Sequence, residues 1–312
     1  MTKILIAGGA GFLGSHLVEL LLSRGYEVSV VDDFSSGLEA NLASVKDRVE
    51  VIRANINDFD FGGRIDVVVN LASRASRREW ETVPVEVVSS NSVGAQNLIR
   101  LALRNKAKYL FASSSEVYGD AEIVPTPETY VGRVDTLGLR SPYDESKRFG
   151  ETLVYAYVKQ ESLKGVIMRI FNTYGPRMRA GDIYGRVVDR FVSQALNGQP
   201  VTVYGDGSQT RAFTYISDTI DAIVKLVEGG RTGQVYNIGT STETTVLELA
   251  KLVIEKTKSS SQLEFLPLPQ GDPRRRAADF SMVKSLGWRP RVALSEGLRL
   301  MIEGNRALAS RL

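Results

Sequence analysis

The chain has no cysteine and only one histidine, His16. The first absence excludes disulfides, thiolate metal sites and a cysteine nucleophile, and fits a reducing interior. The second argues against a histidine-rich metal site and a Ser-His-Asp triad, so no metal is expected and hydrolase chemistry of that kind drops out. No apolar run approaches the length that spans a bilayer. Thr2 to Ala7 runs straight into a glycine loop, without the apolar core and cleavage region of a secretory leader, and the sequence reads as cytoplasmic. A dominant charge is missing too: 39 Lys and Arg stand against 36 Asp and Glu, a net charge of +3 over 312 residues. Basic residues scattered among acidic ones do not make a nucleic-acid surface.

What is present is the composition of an ordinary globular enzyme, 43% hydrophobic and 24% charged. The length admits one elaborated α/β domain or two tightly joined lobes. Short β-branched runs alternate with helical patterns: Lys3 to Ala7, Glu27 to Val31, Val49 to Arg53, Ile65 to Leu71, Lys108 to Ala112 and Val166 to Ile170 predict strands. Runs so nearly continuous in apolar residues suit parallel strands covered on both faces. Phe12 to Arg24, Pro84 to Arg104 and Tyr143 to Leu163 carry helix-spaced Leu, Val and Ile between them. The pattern is α/β, a doubly wound parallel sheet built from βαβ units.

After Asn172 the character changes to a Gly/Arg-rich loop, a helix from Arg186 to Leu196, short strands near Val201 to Tyr204 and Ala212 to Tyr215, and Pro-rich turns around Pro267 to Pro273. We expect a dinucleotide-binding domain over residues 1–172 and a smaller lobe over 173–312. Val235 to Gly239 reads as one more buried strand, so the chain is expected to return to the large sheet at about 212–239 and the lobes to interleave. No internal repeat is visible.

The first strand leads into Gly8-Gly9-Ala10-Gly11-Phe12-Leu13-Gly14 and then a helix. Glycines allow the tight turn and let backbone amides approach a pyrophosphate, whose charge is favoured at a helix N-terminus. Asp32 closes the second strand, where its carboxylate can accept hydrogen bonds from the adenosine ribose hydroxyls and would repel a 2′-phosphate. NAD is therefore expected over NADP. The bland reading, a structural glycine turn with Asp32 as strand cap, does not account for the full strand–loop–helix–strand context.

Further along, Lys108 to Ala112 leads into Ser113-Ser114-Ser115-Glu116, and a helix opens at Tyr143-Asp144-Glu145-Ser146-Lys147. A Tyr and a Lys four residues apart share a helix face. The ammonium is expected to lower the phenol pKa, so that Tyr143 can take a hydroxyl proton while a hydroxyl of the Ser cluster orients the same oxygen. Tyr155 and Lys159 match the same spacing, but Tyr143 lies near a helix start beside a presumed active-site rim, whereas Tyr155 lies mid-helix.

With these motifs in this order, the sequence resembles the extended short-chain dehydrogenases/reductases of the NAD-dependent epimerase/dehydratase type, through nearly its whole length. Four segments, residues 114–120, 143–148, 169–178 and 205–213, are similar to the branch that converts UDP-glucuronate to UDP-xylose. The resemblance implies oxidation of the sugar at carbon 4 by NAD, loss of carbon dioxide from the resulting β-keto acid, and reduction of carbon 4 by the same cofactor. It implies catalytic roles for Tyr143, Lys147, Ser114, Glu116 and Arg276. Cofactor contacts fall at Gly8, Gly11, Phe12, Leu13, Gly14, Asp32, Asn55, Ile56, Leu71 and Ala72, besides Tyr143 and Lys147. Substrate contacts fall at Ser115, Asn172, Arg186, Val187, Tyr204, Arg211 and Arg276, and a homodimer joined by two helices of each subunit is expected. Glu116 discriminates: 4,6-dehydratases carry Asp at the Ser115 position, and 4-epimerases usually a small or hydroxyl residue at the Glu116 position.

The chain departs from that pattern in several places. Asn70 replaces a His, Asn55 an Asp and Ser146 a Gly; the loop after Met178 is longer; and Arg74, Arg77 and Arg78 stand where prolines are expected beside the substrate, either to bind a carboxylate or to line a rim. The rival enzyme reading is a UDP-hexose 4-epimerase, and a more distant one is a non-catalytic NAD-binding sensor, against which the Ser cluster, Tyr143 and Lys147 speak.

Overall fold

A computed structural model describes residues 1–178, 186–268 and 273–309. The first half alternates strands and helices: β1 (Lys3–Ala7), α1 (Phe12–Ser23), β2 (Glu27–Asp32), β3 (Glu50–Arg53), β4 (Val67–Asn70), α2 (Arg77–Thr82), α3 (Pro84–Ser89), α4 (Ala95–Arg104), β5 (Lys108–Ser114), α5 (Ser141–Glu161) and β6 (Lys164–Ile170). The second half contributes β7 (Thr173–Tyr174), α6 (Val187–Leu196), β8 (Val201–Tyr204), β9 (Thr210–Ala212), β10 (Thr214–Tyr215), α7 (Ile216–Gly229), β11 (Val235–Ile238), β12 (Glu243–Thr245), α8 (Val246–Thr257), β13 (Leu263–Leu266), β14 (Arg275–Arg276), α9 (Ser281–Lys284) and α10 (Leu294–Ala309).

Seven strands form one sheet in the order β11-β6-β5-β4-β1-β2-β3, every neighbour parallel. Alternate residues feed two apolar layers, as the pleat requires. Ile4, Ile6, Val67, Val69, Leu110 and Met168 pack with α1 and α7 on one face. Leu5, Val68, Tyr109, Phe111 and Ile167 pack with α4 and α5 on the other. Both faces being covered, β4 is buried at all four positions, and each such Val or Leu contributes roughly 1.5–3 kcal/mol by leaving water. The edge strand β3 is more exposed.

Val235–Ile238 closes the sheet beside β6, with Val235 opposite Ile167 and Ile238 opposite Ile170. Three small sheets, β10-β7, β12-β9-β14 and β13-β8, organise much of the second half. Among the described residues no helix is long and apolar enough to cross a membrane.

The strand expected near Ala212 to Tyr215 is divided between β9 and β10, which belong to different sheets. Residues 84–104 form α3, a π-helical turn at Ser90–Gly94, and α4, instead of a single helix. A Cβ on Gly94 would lie 2.5 Å from Ile56 Cδ1, and buried Asn91 donates to the Ser146 hydroxyl at 3.0 Å. The turn is thus fitted to α5 and to the loop after β3; π turns of this kind recur at functional sites.

Candidate active site

A cleft of about 580 Å³ runs over the C-terminal ends of β1, β2, β4, β5 and β6, the place where open parallel sheets bind ligands. One half of it is built by the glycine loop. Gly8 has φ +78°, and a Cβ on Gly14 would lie 2.0 Å from the Gly8 carbonyl oxygen, so the chain doubles back within contact of itself. Gly11 caps α1 without any side-chain bond, which leaves first-turn amides facing the cleft for an anion. Phe12 and Leu13 line the same wall, with Ile56, Leu71 and Ala72 further along.

Asp32 is buried where β2 ends; its Oδ2 accepts the Ala10 N–H and its Oδ1 the Phe34 N–H, both at 2.9 Å. Burial raises its pKa against those two bonds. The carboxylate therefore fixes the loop besides facing the cleft. Asn55 lines the cleft and donates to Asp33 Oδ2 at 3.1 Å, a bond an Asp there could not make as a carboxylate. Asn70 is buried behind the cleft, donating to the Tyr109 hydroxyl at 2.9 Å and accepting the Ala72 N–H at 3.2 Å. These glycines, open amides and the carboxylate fit a dinucleotide.

In the other half, Ser114 ends β5 and accepts the Glu116 N–H at 3.2 Å, and its side chain works to lower the pKa of the Tyr143 phenol. Tyr143 is the third residue of α5, buried and stacked on Trp80 with centroids 4.7 Å apart. Gly150 lets α5 lie close to β5, since a Cβ there would be 2.3 Å from Phe111 Cζ. That approach carries Lys147 to the strand, where its Nζ donates to the Ala112 carbonyl at 2.7 Å and lies 5.6 Å from the Tyr143 ring centroid.

The electrostatics correct one expectation. Tyr143 is pushed up to about 12, by burial first and by the charges of Glu116 and Asp144, with Ser114 and Arg186 working the other way. Lys147 is pulled down to about 7 by burial, partly offset by Glu151. Desolvation outweighs the ammonium's expected influence on the phenol, because Lys147 is itself weakened as a cation and turned to a carbonyl.

Glu116 sits between two guanidiniums. Arg276 grips both of its oxygens, one at 2.8 Å, and Arg140 donates to Oε2. Burial works to raise its pKa, but Arg276 and Arg140 outweigh it and hold the carboxyl well below its ordinary range. Asp144 is 3.5 Å from Arg140 Nε, and its buried Oδ1 has no hydrogen-bond partner. Burial and the charge of Glu116 push it to about 7. Arg276 reaches the cleft because β14 pairs with β9, setting it opposite Arg211.

The remaining expected residues line the same cleft: Ser115, Asn172, Arg186, Val187, Tyr204 and Arg211. Asn172 donates to the Ala212 carbonyl at 3.3 Å, Arg186 lies 5.5 Å over the Phe12 ring, and Arg211 donates to the Thr210 carbonyl at 2.8 Å. The loop expected to be lengthened after Met178 falls at 179–185, and Asp272 and much of the Pro-rich turn fall at 269–272, outside the described residues. Tyr155 and Lys159 do pair, 5.6 Å apart, but Tyr155 is 58% exposed and away from the cleft. Sequence reasoning missed Arg140, Trp80 and Asp144. Only α2 left a readable trace, the Ser76–Glu79 capping box that starts the helix carrying Trp80.

Residues 4–239 match the NAD dependent epimerase/dehydratase family, and the chain belongs to it. Among characterised relatives it is 44% identical to UDP-glucuronic acid decarboxylase 1 of Danio rerio over 304 residues, 96% of this chain and 72% of that protein. Among solved structures it is similar to UDP-glucose 4-epimerase of Thermotoga maritima with UDP-glucose (33% identity, TM-score 0.91, 99% and 100% of the two chains). It is also similar to a variant of UDP-glucuronic acid 4-epimerase from Bacillus cereus, in complex with a fluorinated UDP-glucuronic acid and NAD (32%, 0.90, 98% and 100%).

Proposed function

We propose that the protein is an NAD-dependent enzyme that decarboxylates UDP-glucuronate to UDP-xylose through a 4-keto sugar. The observation that carries the reading is Glu116, half-buried and held as a carboxylate between Arg276 and Arg140 on the wall that also carries Ser114 and Tyr143. The 44% identity to a UDP-glucuronic acid decarboxylase over 96% of the chain supports it.

The glycine loop, the α1 N-terminus and Asp32 would hold the cofactor. The chemistry a bound NAD supplies is reversible two-electron oxidation at carbon 4. Tyr143 takes the proton of the 4-hydroxyl and Ser114 orients the same oxygen, while Lys147, bonded to the Ala112 carbonyl, lies 5.6 Å from the phenol ring. A keto group at carbon 4 is β to the carboxylate, so the electron pair left by departing carbon dioxide spreads into an enolate. Glu116 cannot donate a proton while both guanidiniums hold it; it positions Arg276 at the carboxylate end of the sugar. Protonation of carbon 5 by a proton taken up from solvent, reduction of carbon 4 and return of the proton from Tyr143 to its oxygen complete the cycle. Asn172, Arg186 and Arg211 face the nucleotide diphosphate, Arg offering a planar fork suited to phosphate.

A cytoplasmic homodimer goes with this reading. Val85, Val88 and Val93 around α3, and Phe149 and Tyr155 on α5, are large apolar side chains left exposed on elements that pack together, a surface fit for a second copy. Incubation with UDP-glucuronate and NAD is expected to release carbon dioxide and leave a UDP-pentose; recovery of UDP-galacturonate alone, with no carbon lost, would overturn the assignment in favour of an epimerase.

A further inference from the structure

We infer that Arg74, in the loop after β4, grips the carboxylate of the sugar acid and sets the preference of this site for uronates over neutral hexoses. The inference rests on the reading of the cleft as one that takes a UDP-uronate.

Arg74 is placed by Trp80, whose indole N–H donates to the Arg74 carbonyl at 3.2 Å. Trp80 is in turn stacked on Tyr143, so the Arg74 backbone is anchored one indole away from the phenol, on the reacting side of the cleft. Arg74 lines that cleft. The other cations on this side are engaged: Arg276 and Arg140 converge on the Glu116 carboxylate, Arg77 pairs with Glu81 and Lys147 donates to the Ala112 carbonyl. Arg74 makes one ion pair among the described residues, a single contact of 3.4 Å to Glu79 Oε1.

Glu79 cannot turn that contact into a bidentate grip. Its Oε2 is fixed in the capping box of α2, accepting the Ser76 hydroxyl at 2.9 Å and the Ser76 N–H at 3.4 Å. Most of the Arg74 fork is therefore left for a ligand, and a guanidinium matches a carboxylate with two parallel bonds. Next to it, the buried Ser73 hydroxyl oxygen has no hydrogen-bond partner and Ser73 lines the same stretch of cleft. A cation and a spare hydroxyl on consecutive residues, tied through Trp80 to the Tyr143 wall of the cleft, suit an anionic group on the sugar ring. The diphosphate faces Asn172, Arg186 and Arg211 instead, so the anion matched here is the carboxylate.

The test uses the full-length protein with NAD bound and compares wild type with Arg74→Gln. Turnover of UDP-glucuronate gives KM and kcat; calorimetry gives Kd for UDP and for UDP-glucose, which has a hydroxymethyl group in place of the carboxylate. Losing a charge-assisted hydrogen-bonding pair is expected to raise KM for UDP-glucuronate about 10- to 100-fold, leave both Kd values unchanged, and be partly restored in Arg74→Lys. Equal losses for UDP-glucose and UDP-glucuronate, or no loss for either, would overturn the inference. If wild type decarboxylates UDP-glucuronate and Arg74→Gln matches it, the inference alone fails; if wild type neither decarboxylates UDP-glucuronate nor prefers it to UDP-glucose, the reading beneath it fails too.

Discussion

Trp80 lies face to face with Tyr143, ring centroids 4.7 Å apart and planes 18° from parallel. The indole keeps water from one face of the phenol, and burial is the largest cause of the rise to about 12. Trp80→Ala is therefore expected to bring the phenol back towards 10 in the protein without cofactor, measured by ultraviolet difference titration with Tyr143→Phe to assign the signal. A titration identical to wild type would show that Trp80 plays no part in the desolvation.

Two tyrosines share the same spacing to a lysine, and only one faces the cleft. Tyr143→Phe is expected to lower turnover by about 10²- to 10⁴-fold, the usual worth of a positioned acid–base group, with the Kd for NAD unchanged. Tyr155→Phe, on an exposed side chain, is expected to retain wild-type kcat. Reversed outcomes would move the base to the wrong side of α5.

Glu116 is the carboxylate that two guanidiniums grip. Glu116→Gln leaves Arg140 and Arg276 against a half-buried amide, with Asp144 still 3.5 Å from Arg140 Nε, and is expected to cost at most about 3–5 kcal/mol of stability. Arg276→Gln leaves Glu116 still paired with Arg140 and is expected to cost less. Urea unfolding reads both; equal midpoints would mean that Arg140 does not hold Glu116 in solution.

Asp144 gives a pH signature of definite sign. Its pKa rises from 3.8 to about 7 on folding, so the native state binds its proton more tightly than the unfolded chain. Its contribution to stability is then fully present below about 4, declines as pH rises to about 7, and is constant beyond. Asp144→Asn removes that loss, so its stability relative to wild type is expected to grow from pH 4 to pH 7 and then level off. A difference that is flat across this range, in chemical denaturation at each pH, would show that Asp144 is not desolvated as described.

The parallel sheet and the two halves of the cleft were legible because their signals are local: a β-branched run, a glycine loop before a helix, a serine cluster at a strand end, a Tyr and a Lys one helical turn apart. What stayed illegible depends on contacts between distant segments. Arg140 finds Glu116 across 24 residues and Arg276 finds it across 160, and nothing in the intervening patterns announces either approach. The interruption at Ser90–Gly94 is set by Ile56 and Ser146, neither of which is near in sequence. The direction of the Tyr143 shift was missed for a related reason, since a sequence shows which charges are neighbours but not how much water is removed.

The edge strand Val235–Ile238 has a consequence for biosynthesis. As the polypeptide leaves the ribosome, β6 is made some 65 residues before the strand that covers its open side, and Arg276 follows later still. During that interval the backbone donors and acceptors along Lys164–Ile170 can pair with any passing strand, the situation in which nascent chains associate wrongly or need a chaperone. A fragment ended after residue 172 would be left permanently in that condition, sticky along one side and lacking one of the two arginines that hold Glu116.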